Sequence, residues 1–296
     1  MEGRLSINSG TRPKCTVCNS SDLIRKKTYQ GYDMCPRCGI YWNFTASQTE
    51  MLNDTEKISL PHQILIHEIY AKFQKVGDLG VVCDFGCGKG YLLKLLIKRG
   101  VTAFGIEITD ESRIFAEAMS LQVFKTPTAD MNVDTVTFLH SFEHLTPDAL
   151  ISVLTWINEG DAHRILISVP NANSIGYKIF GGLNAFHDPI NHPVIYSQQG
   201  LDRVFQNFGF TRKSTYQIWS YTFFGVVQTM LNAVFRSRNE FYLRLKRGKK
   251  SFNGFHFLFS LFIIFILTPL VLPVLVILLF NRKLDFVINC EYTRVI

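Results

Sequence analysis

Three glycines at alternate positions follow an aspartate at the end of an apolar run, in the stretch VVCDFGCGKGYLL at residues 81–93. The glycines are Gly86, Gly88 and Gly90, and the aspartate is Asp84. Glycine lets a backbone turn approach a ligand that a Cβ would push away. Turns of this kind hold nucleotide cofactors of several classes. The pattern therefore predicts a cofactor site without naming the cofactor.

A second carboxylate, Glu107, comes about twenty residues after these glycines, near the end of the apolar run at residues 101–108. A strand, a helix and a second parallel strand form a right-handed unit whose ligand site lies at the carboxyl ends of the strands. A carboxylate at that edge can accept hydrogen bonds from both hydroxyls of a cofactor ribose. The alternative is a solvated surface glutamate.

Four cysteines near the N-terminus form two pairs, each of the type Cys-x-x-Cys: Cys15 with Cys18, and Cys35 with Cys38. This spacing is typical of a structural zinc site, and the segment between the pairs reads as a short hairpin that turns at Gln30 and Gly31. Four unrelated cysteines are the alternative. We predict a zinc ribbon in which all four thiolates bind one metal ion.

The segments that must position these residues alternate between strands and helices. We predict a leading helix at residues 60–76, with its apolar face formed by Ile64, Leu65, Ile69, Phe73 and Val76. Further strands are expected at residues 122–125, 134–139, 164–169 and 210–220, and helices at residues 111–120 and after Pro147. This alternation predicts a parallel sheet that is covered on both faces.

The composition is apolar and basic. Apolar residues make up 47% of the 296-residue chain, and the net charge is +7. The mean hydropathy of +0.11 is high for a soluble protein, and the charge suits nucleic acid and anionic lipid equally well. Seven cysteines with no apolar N-terminal signal favour reduced thiols in the cytosol over a disulfide framework.

Together, these motifs resemble class I S-adenosylmethionine-dependent methyltransferases. The resemblance rests on DFGCGKG, on Glu107 and on HSFEHL at residues 140–145, and it covers most of residues 15–224. A bacterial branch of this family shares the Glu-His-Leu ending and a later His-Pro-x-x-Tyr-Ser, here at residues 192–197. Members with a leading four-cysteine ribbon are associated with sugar and cell-surface polysaccharide biosynthesis. The chain departs from the family at residues 126–133, which are too short for a crossover helix.

The resemblance implies S-adenosylmethionine as the cofactor. The glycines would then admit its methionine and ribose portions, Asp84 would hold its ammonium group, and Glu107 its ribose. Asp130 is the candidate contact for the adenine. A dehydrogenase would space its glycines as Gly-x-Gly-x-x-Gly, which this turn does not do.

Histidines follow both strands that end beside the cofactor. His140 and His144 come after the fourth strand, and His187 and His192 come after the fifth. Methyl transfer depends on positioning, and a hydroxyl acceptor benefits from a base with a pKa near neutral, which histidine supplies. We expect His140 and His144 on the catalytic side, and His187 and His192 on the substrate side.

The resemblance assigns the Glu143–His144 pair to the cofactor and acceptor sides of the site. His144 is the expected general base, and a packing or helix-capping histidine is the alternative. Residues 186–193, FHDPINHP, read as a rigid substrate loop or as a connector stiffened by its two prolines.

Two segments near the C-terminus indicate membrane contact. Residues 223–247 read as a basic amphipathic helix, and residues 257–280 are uncharged and exceed the roughly 20 residues that span a bilayer. Residues 284–295 look like the last, antiparallel strand of the sheet. Both ends of the apolar run should therefore lie on the same side of the membrane, the side of the sheet. Pro269 and Pro273 lie at the middle of the apolar run, where each favours a break in the helix. We therefore predict a helical hairpin that enters the membrane and returns to the same side. A single crossing with an external tail is the alternative.

These observations predict an α/β protein with a Rossmann-like seven-stranded sheet, an N-terminal zinc ribbon and an apolar helical membrane insertion before the last strand. The expected divisions are residues 1–46 for the ribbon, 47–224 for the methyltransferase domain, 225–283 for the anchor and 284–296 for the final strand. The catalytic domain would face the cytoplasm, and an anionic lipid surface would be a partner.

The predicted activity is methyl transfer to a sugar hydroxyl or amine of a lipid-linked or nucleotide-linked glycan precursor, a small-molecule acceptor. The alternatives are a quinone or lipid head group, a cofactor-binding module without catalysis, and RNA. Nucleic acid is disfavoured because the basic residues cluster beside the apolar segment. The oligomeric state is left open.

Overall fold

The structure, a computed structural model, describes residues 13–25, 29–46, 59–236, 239, 269 and 272–295. The strands are β1 (Ile24–Arg25), β2 (Asp33–Met34), β3 (Tyr41–Trp42), β4 (Val82–Phe85), β5 (Ala103–Ile106), β6 (Val123–Phe124), β7 (Thr135–Leu139), β8 (Arg164–Pro170), β9 (Val194–Ile195), β10 (Phe210–Thr215) and β11 (Val287–Arg294). The helices are α1 (Leu60–Phe73), α2 (Tyr91–Lys98), α3 (Asp110–Ala118), α4 (Pro147–Glu159), α5 (Ile175–Phe180), α6 (Gln198–Gln206) and α7 (Trp219–Phe235).

The central sheet has seven strands in the order β10-β11-β8-β7-β4-β5-β6. β4 is parallel to both β5 and β7, and β7 is parallel to β8. The chain runs outward from β4 to β6 and then returns to β7 on the other side of β4. This reversal creates a crevice at the carboxyl ends of β4 and β7, where open α/β sheets bind their ligands. The predicted seven-stranded α/β sheet is confirmed.

The last strand inserts where the sequence predicted. β11 lies between β8 and β10 and is antiparallel to both. The sixth strand is shorter than expected, since β10 ends at Thr215 and α7 begins at Trp219. No helix occupies residues 125–134 between β6 and β7, as the short spacing predicted.

The buried side chains of α1 differ in part from the predicted face. Ile69 and Phe73 are buried as expected, together with Ile66 and Tyr70. Ile64 is 56% exposed, so its assignment to the buried face was wrong. The helix packs on α2 and α7, which places Ile66 rather than Ile64 toward the core.

The N-terminal segment builds a second, four-stranded sheet in the order β1-β2-β3-β9. β1 and β2 form the predicted hairpin, and Gly31 takes a positive φ of +90° in its turn. β3 pairs antiparallel with β9, which lies far along the chain after the loop that carries His192. The cysteine-bearing segment therefore joins the loop region of the main fold through backbone pairing.

The predicted apolar helical membrane insertion was wrong. Within the described ranges, no helix combines the length and the apolar character that a bilayer crossing requires. Much of the apolar run, residues 257–268, lies outside the described residues, as does most of the basic segment at residues 237–247.

The described parts of these segments show why the pattern misled. Residues 272–280 are helical. Leu278 is fully buried in the core beside α1 and α7. In α7, Tyr221, Val226 and Leu231 are buried as well. Leu278 and the buried side chains of α7 therefore serve as core residues of the fold, whereas five other apolar residues at 272–280 are exposed: Leu272, Val276, Ile277, Leu279 and Phe280.

Candidate functional site

The glycine turn after β4 leaves an open space beside one of its three glycines. Gly86, Gly88 and Gly90 have φ values of +75°, +54° and +73°. A Cβ on Gly86 would lie 2.4 Å from Cβ of Ser141, and one on Gly90 would lie 2.5 Å from Leu121, so packing alone requires glycine at both positions. A Cβ on Gly88 would meet no described atom within 4 Å. Gly88 thus offers bare backbone to a ligand.

Two buried carboxylates flank this turn. Asp84, at the end of β4, accepts a 2.7 Å hydrogen bond from the hydroxyl of Thr137. Glu107 follows β5 and accepts one backbone N–H on each oxygen, from Gly88 and from Thr109, both at 2.8 Å. Glu107 therefore fixes the conformation of the glycine turn, a role that the sequence did not predict. Each of its oxygens retains a further lone pair.

Burial raises the pKa of Asp84 to about 6, and the charge of Glu107 acts in the same direction, while the hydrogen bond from Thr137 opposes them. The carboxylate is only 3% exposed. At neutral pH it is a desolvated negative charge next to the open space at Gly88. Such a charge favours a cationic group in its neighbourhood.

His140, at the end of β7, has a buried carboxylate partner. Its Nδ1–H donates a 3.0 Å hydrogen bond to Oε1 of Glu143. The imidazole stacks on Phe186 and meets the ring of Tyr221 edge-on, with centroids 5.4 and 4.6 Å apart. Its backbone takes a φ of +56°, an uncommon conformation for a residue other than glycine. Nε2 of His140 is buried and has no hydrogen-bond partner among the described residues.

Ser141 couples the two strands that end at the site. Its hydroxyl donates a 2.5 Å hydrogen bond to the carbonyl of Phe85, the last residue of β4. The same side chain occupies the space that a Cβ on Gly86 would need. The histidine-bearing turn after β7 and the glycine turn after β4 are therefore held against each other.

Glu143, His144 and His192 form a compact buried group, in which one ligand atom from each lies within 4.8 Å of the others. His144 donates from Nδ1 to the carbonyl of Asn191 at 2.8 Å, and its ring meets that of His192 at a centroid distance of 4.6 Å. Burial opposes ionisation of Glu143, but the hydrogen bond from His140 and the charges of the three histidines outweigh it and lower the pKa to about 2.

His192 is held neutral. Burial, followed by the charge of His144, lowers the pKa of His192 to about 4, and the charges of Glu143 and Asp188 oppose this shift. Its Nδ1 has no hydrogen-bond partner in the part of the chain that the structure describes. A neutral imidazole of this kind can donate a lone pair.

The two predicted substrate histidines occupy different surroundings. His192 joins Glu143 and His144, whereas His187 is 3% exposed and lies against Tyr32 and Tyr177, with centroids 5.8 and 5.7 Å away. The loop between them is held by the N-terminal segment, because the hydroxyl of Tyr32 donates to the carbonyl of His192 at 2.9 Å.

The four predicted metal-binding cysteines come together. The sulfur of Cys15 lies 3.4 Å from that of Cys38, and the sulfur of Cys18 lies 3.4 Å from that of Cys35. All four sulfurs are within 4.8 Å of one another. Four thiolates about 2.3 Å from one tetrahedral zinc ion are separated by similar distances. Trp42 donates from its indole N–H to the sulfur of Cys15 at 3.3 Å, which favours a thiolate there.

Two further residues complete the description of the site. Asp130 is exposed in the connection between β6 and β7, where its hydrogen bond with Thr128 lowers the pKa of the carboxyl. Its contact with an adenine stays a prediction. Tyr221 was missed by sequence reasoning. After burial, the charges of both Glu143 and Asp84 raise the pKa of its hydroxyl, and its ring lies 4.6 Å from that of His140.

The chain is similar to known methyltransferases. A family model described as a methyltransferase domain matches residues 62–214, just over half of the chain. No curated protein matches the chain. A solved SAM-dependent methyltransferase from Archaeoglobus fulgidus is 21% identical, covering 60% of this chain and 87% of that one, with a TM-score of 0.43. The magnesium protoporphyrin IX methyltransferase ChlM from Synechocystis PCC 6803, solved with bound SAH, is 18% identical, covering 55% and 83%, with a TM-score of 0.42.

Proposed function

The chain belongs to the methyltransferase domain family, and on that premise we propose that it transfers a methyl group from S-adenosylmethionine to an oxygen or nitrogen of a small-molecule acceptor. One observation carries the proposal: the glycine turn and buried Asp84 at the end of β4 are held against the turn of His140 and Glu143 at the end of the neighbouring parallel strand β7.

The residues around the glycine turn fit the methyl donor. Bare backbone at Gly88 allows close approach, and Asp84 supplies a desolvated negative charge for an ammonium group. The remaining lone pairs of Glu107 are available to ribose hydroxyls. When bound, the donor supplies a methyl carbon on a sulfonium, whose carbon–sulfur bond breaks with its electron pair going to sulfur as the acceptor atom bonds to that carbon.

On the acceptor side, we assign the general base to His140 in preference to His144. Glu143 fixes the tautomer of His140 by accepting its Nδ1–H, which leaves Nε2 to take the acceptor's proton. His144 directs its Nδ1–H to the carbonyl of Asn191 and is better placed as a structural or ligand-binding residue. Phe186 and Tyr221 pack against the His140 ring, whose side chain is 24% exposed while its Nε2 is buried.

The acceptor class comes from the sequence resemblance. A sugar hydroxyl or amine of a nucleotide-linked or lipid-linked glycan precursor is the leading candidate. We also infer a structural zinc ion bound by Cys15, Cys18, Cys35 and Cys38, since the donor set and the sulfur spacings suit zinc. A cytoplasmic location of the catalytic domain stays a prediction.

Binding of the methyl donor can be tested with a matched pair of variants. Gly88→Ala adds a Cβ to the proposed pocket, and Gly100→Ala adds one at φ +81° in the turn between α2 and β5, which also has open space around it. Both variants carry a similar left-handed strain of about 1–2 kcal/mol. Calorimetry should show at least a tenfold weaker affinity for S-adenosylmethionine in Gly88→Ala and an unchanged affinity in Gly100→Ala. Equal affinities would refute the cofactor site.

Turnover is tested with radiolabelled S-adenosylmethionine and fractionated cell extract. Label in a sugar-nucleotide or glycolipid fraction supports the proposed acceptor. Label in the quinone, other lipid or RNA fraction would assign the acceptor to that class instead. His140→Asn should abolish label transfer while retaining donor binding, and full turnover in that variant would exclude His140 as the base. If no fraction is labelled, the result would support the alternative that the protein binds the cofactor without catalysing methyl transfer.

A further inference from the structure

We propose that Glu143, His144 and His192 bind one divalent transition-metal ion on the acceptor side of the pocket. What this ion does there rests on the proposed function, but whether it binds does not. The site is separate from the four-cysteine cluster, since it is built from the turn after β7 and from the loop that precedes β9.

The first argument is that the potential ligand atoms of the three residues lie close together. The carboxylate oxygen and the two imidazole nitrogens lie within 4.8 Å of one another, although they come from two segments almost fifty residues apart in sequence. Ligand bonds of about 2.0–2.2 Å place two ligand atoms of one ion up to about 4 Å apart. A small contraction of this group would therefore complete the coordination sphere.

The second argument is the orientation of His144. Its Nδ1–H donates to the backbone carbonyl of Asn191, so its Nε2 carries the lone pair. Histidines that bind metals almost always hold their other ring nitrogen in such a hydrogen bond, which fixes the tautomer and the ring plane. The arrangement is the one that a metal ligand needs.

The third argument is the polar atoms that have no hydrogen-bond partner. Oε2 of Glu143 and Nδ1 of His192 are both buried, and neither has a partner in the described structure. Glu143 is 0% exposed and His192 is 8% exposed. A buried carboxylate oxygen without a donor is strongly unfavourable, and a cation bound between these atoms would satisfy both of them.

The donor set indicates the class of ion. Two imidazole nitrogens and one carboxylate oxygen suit zinc, manganese, iron or cobalt, whereas calcium prefers six to eight oxygen ligands and magnesium an octahedron of oxygens. Three protein ligands also leave positions open for an exogenous oxygen or nitrogen.

The open positions explain how the ion would serve the reaction. The ion would lower the pKa of an acceptor hydroxyl bound to it, and Nε2 of His140 would accept the proton. Glu143 would serve both groups, with Oε1 accepting from His140 and Oε2 on the ion. The electron pair that forms the new bond to the methyl carbon stays on the acceptor oxygen, so no oxidant or reductant is needed.

The test uses Mn²⁺ as the probe on the full chain supplied with one equivalent of zinc, which the thiolates select over manganese. The loss of the free Mn²⁺ signal in electron paramagnetic resonance measures binding without donor or acceptor. We expect one saturable site in the wild type, and at least tenfold weaker binding in Glu143→Gln and His192→Asn. His187→Asn, which alters a buried histidine of the same loop outside the group, should bind Mn²⁺ as the wild type does.

The outcomes separate this inference from the proposed function. Glu143→Gln should unfold cooperatively in scanning calorimetry and keep the near-ultraviolet circular dichroism of the wild type, which shows that the variant is folded. No saturable Mn²⁺ binding in the wild type, or equal affinity in Glu143→Gln, overturns the metal site even if methyl transfer is found. Mn²⁺ binding that is lost in Glu143→Gln supports the site even if no methyl transfer is detected.

Discussion

At the scale of single residues, Asp84 is an unfavourable buried charge at the proposed methyl-donor site. In the unfolded chain its pKa is near 3.8, and burial raises it to about 6 in the folded protein. Between these values the folded state holds more protons than the unfolded state, so the free energy of unfolding falls as the pH rises. Well above pH 6 this decrease in the free energy of unfolding is complete, and it amounts to at most about 3 kcal/mol.

Asp84→Asn should therefore stabilise the donor-free protein. At pH 7.5 its melting temperature should exceed that of the wild type, and the difference should vanish as the pH falls toward 4. The same variant should show a smaller rise in melting temperature with S-adenosylmethionine, because the ammonium group loses its partner. Scanning calorimetry across this pH range measures both effects, and Asp130→Asn, at an exposed carboxylate, is the control. A wild-type stability that does not decline between pH 4 and pH 6 relative to Asp84→Asn would contradict the argument.

Sequence spacing located the residues that follow strands, but not their partners. Asp84 and Glu107 were predicted because strand ends and motif distances fix where such residues lie, and Glu143 was predicted from the family resemblance. Thr137 and Tyr221 were missed because their importance arises only after folding. Thr137 sits one strand away from Asp84, and Tyr221 comes from a helix almost eighty residues after the histidine turn. Nothing in the sequence pattern distinguishes these side chains from ordinary core residues.

At the scale of elements, the cysteine-bearing segment acts on the site through the loop that carries His192. β3 pairs with β9, and Asn43 donates from its backbone N–H to the carbonyl of Pro193 at 2.8 Å. The two Cys-x-x-Cys pairs predicted the four-cysteine cluster, because the spacing within each pair is local. The β3–β9 pairing joins strands of two residues each, too short to leave a periodic signal in the sequence.

Tyr32→Phe tests this coupling. It removes the hydroxyl that donates to the carbonyl of His192, a buried hydrogen bond of about 1 kcal/mol. We expect methyl-transfer kcat to fall up to about fivefold, with unchanged zinc content and donor affinity. Tyr29→Phe is the matched control, since its hydroxyl belongs to the same segment but donates to Ala172. If the two variants lower kcat equally, the effect is general destabilisation and not the position of His192.

At the scale of the whole molecule, the alternation of strands with helices predicted the parallel part of the sheet, because parallel strands need crossover connections. The seventh, antiparallel strand was predicted from the resemblance to the methyltransferase family. The apolar C-terminal region was misjudged, because hydropathy alone does not distinguish a membrane segment from a helix that covers a sheet. Leu278 and α7 pack in the core beside α1, and Gly225 of α7 meets Phe286 so closely that a Cβ would lie 2.3 Å from its ring. Only the tertiary contacts show that Leu278 and α7 pack in the core.

The position of β11 makes the end of the chain essential to the whole sheet. β11 lies between β8 and β10, and Cys290 and Tyr292 are fully buried there. A chain that ends at residue 283 would expose the edge of β8, lose the only described strand that pairs with β10, and uncover more apolar surface than a net stability of about 5–15 kcal/mol can tolerate. Scanning calorimetry and near-ultraviolet circular dichroism should show no cooperative unfolding and no binding of S-adenosylmethionine. A chain that ends at residue 295 should retain both. Cooperative unfolding with donor binding in the shorter chain would mean that the six remaining strands form a sufficient sheet.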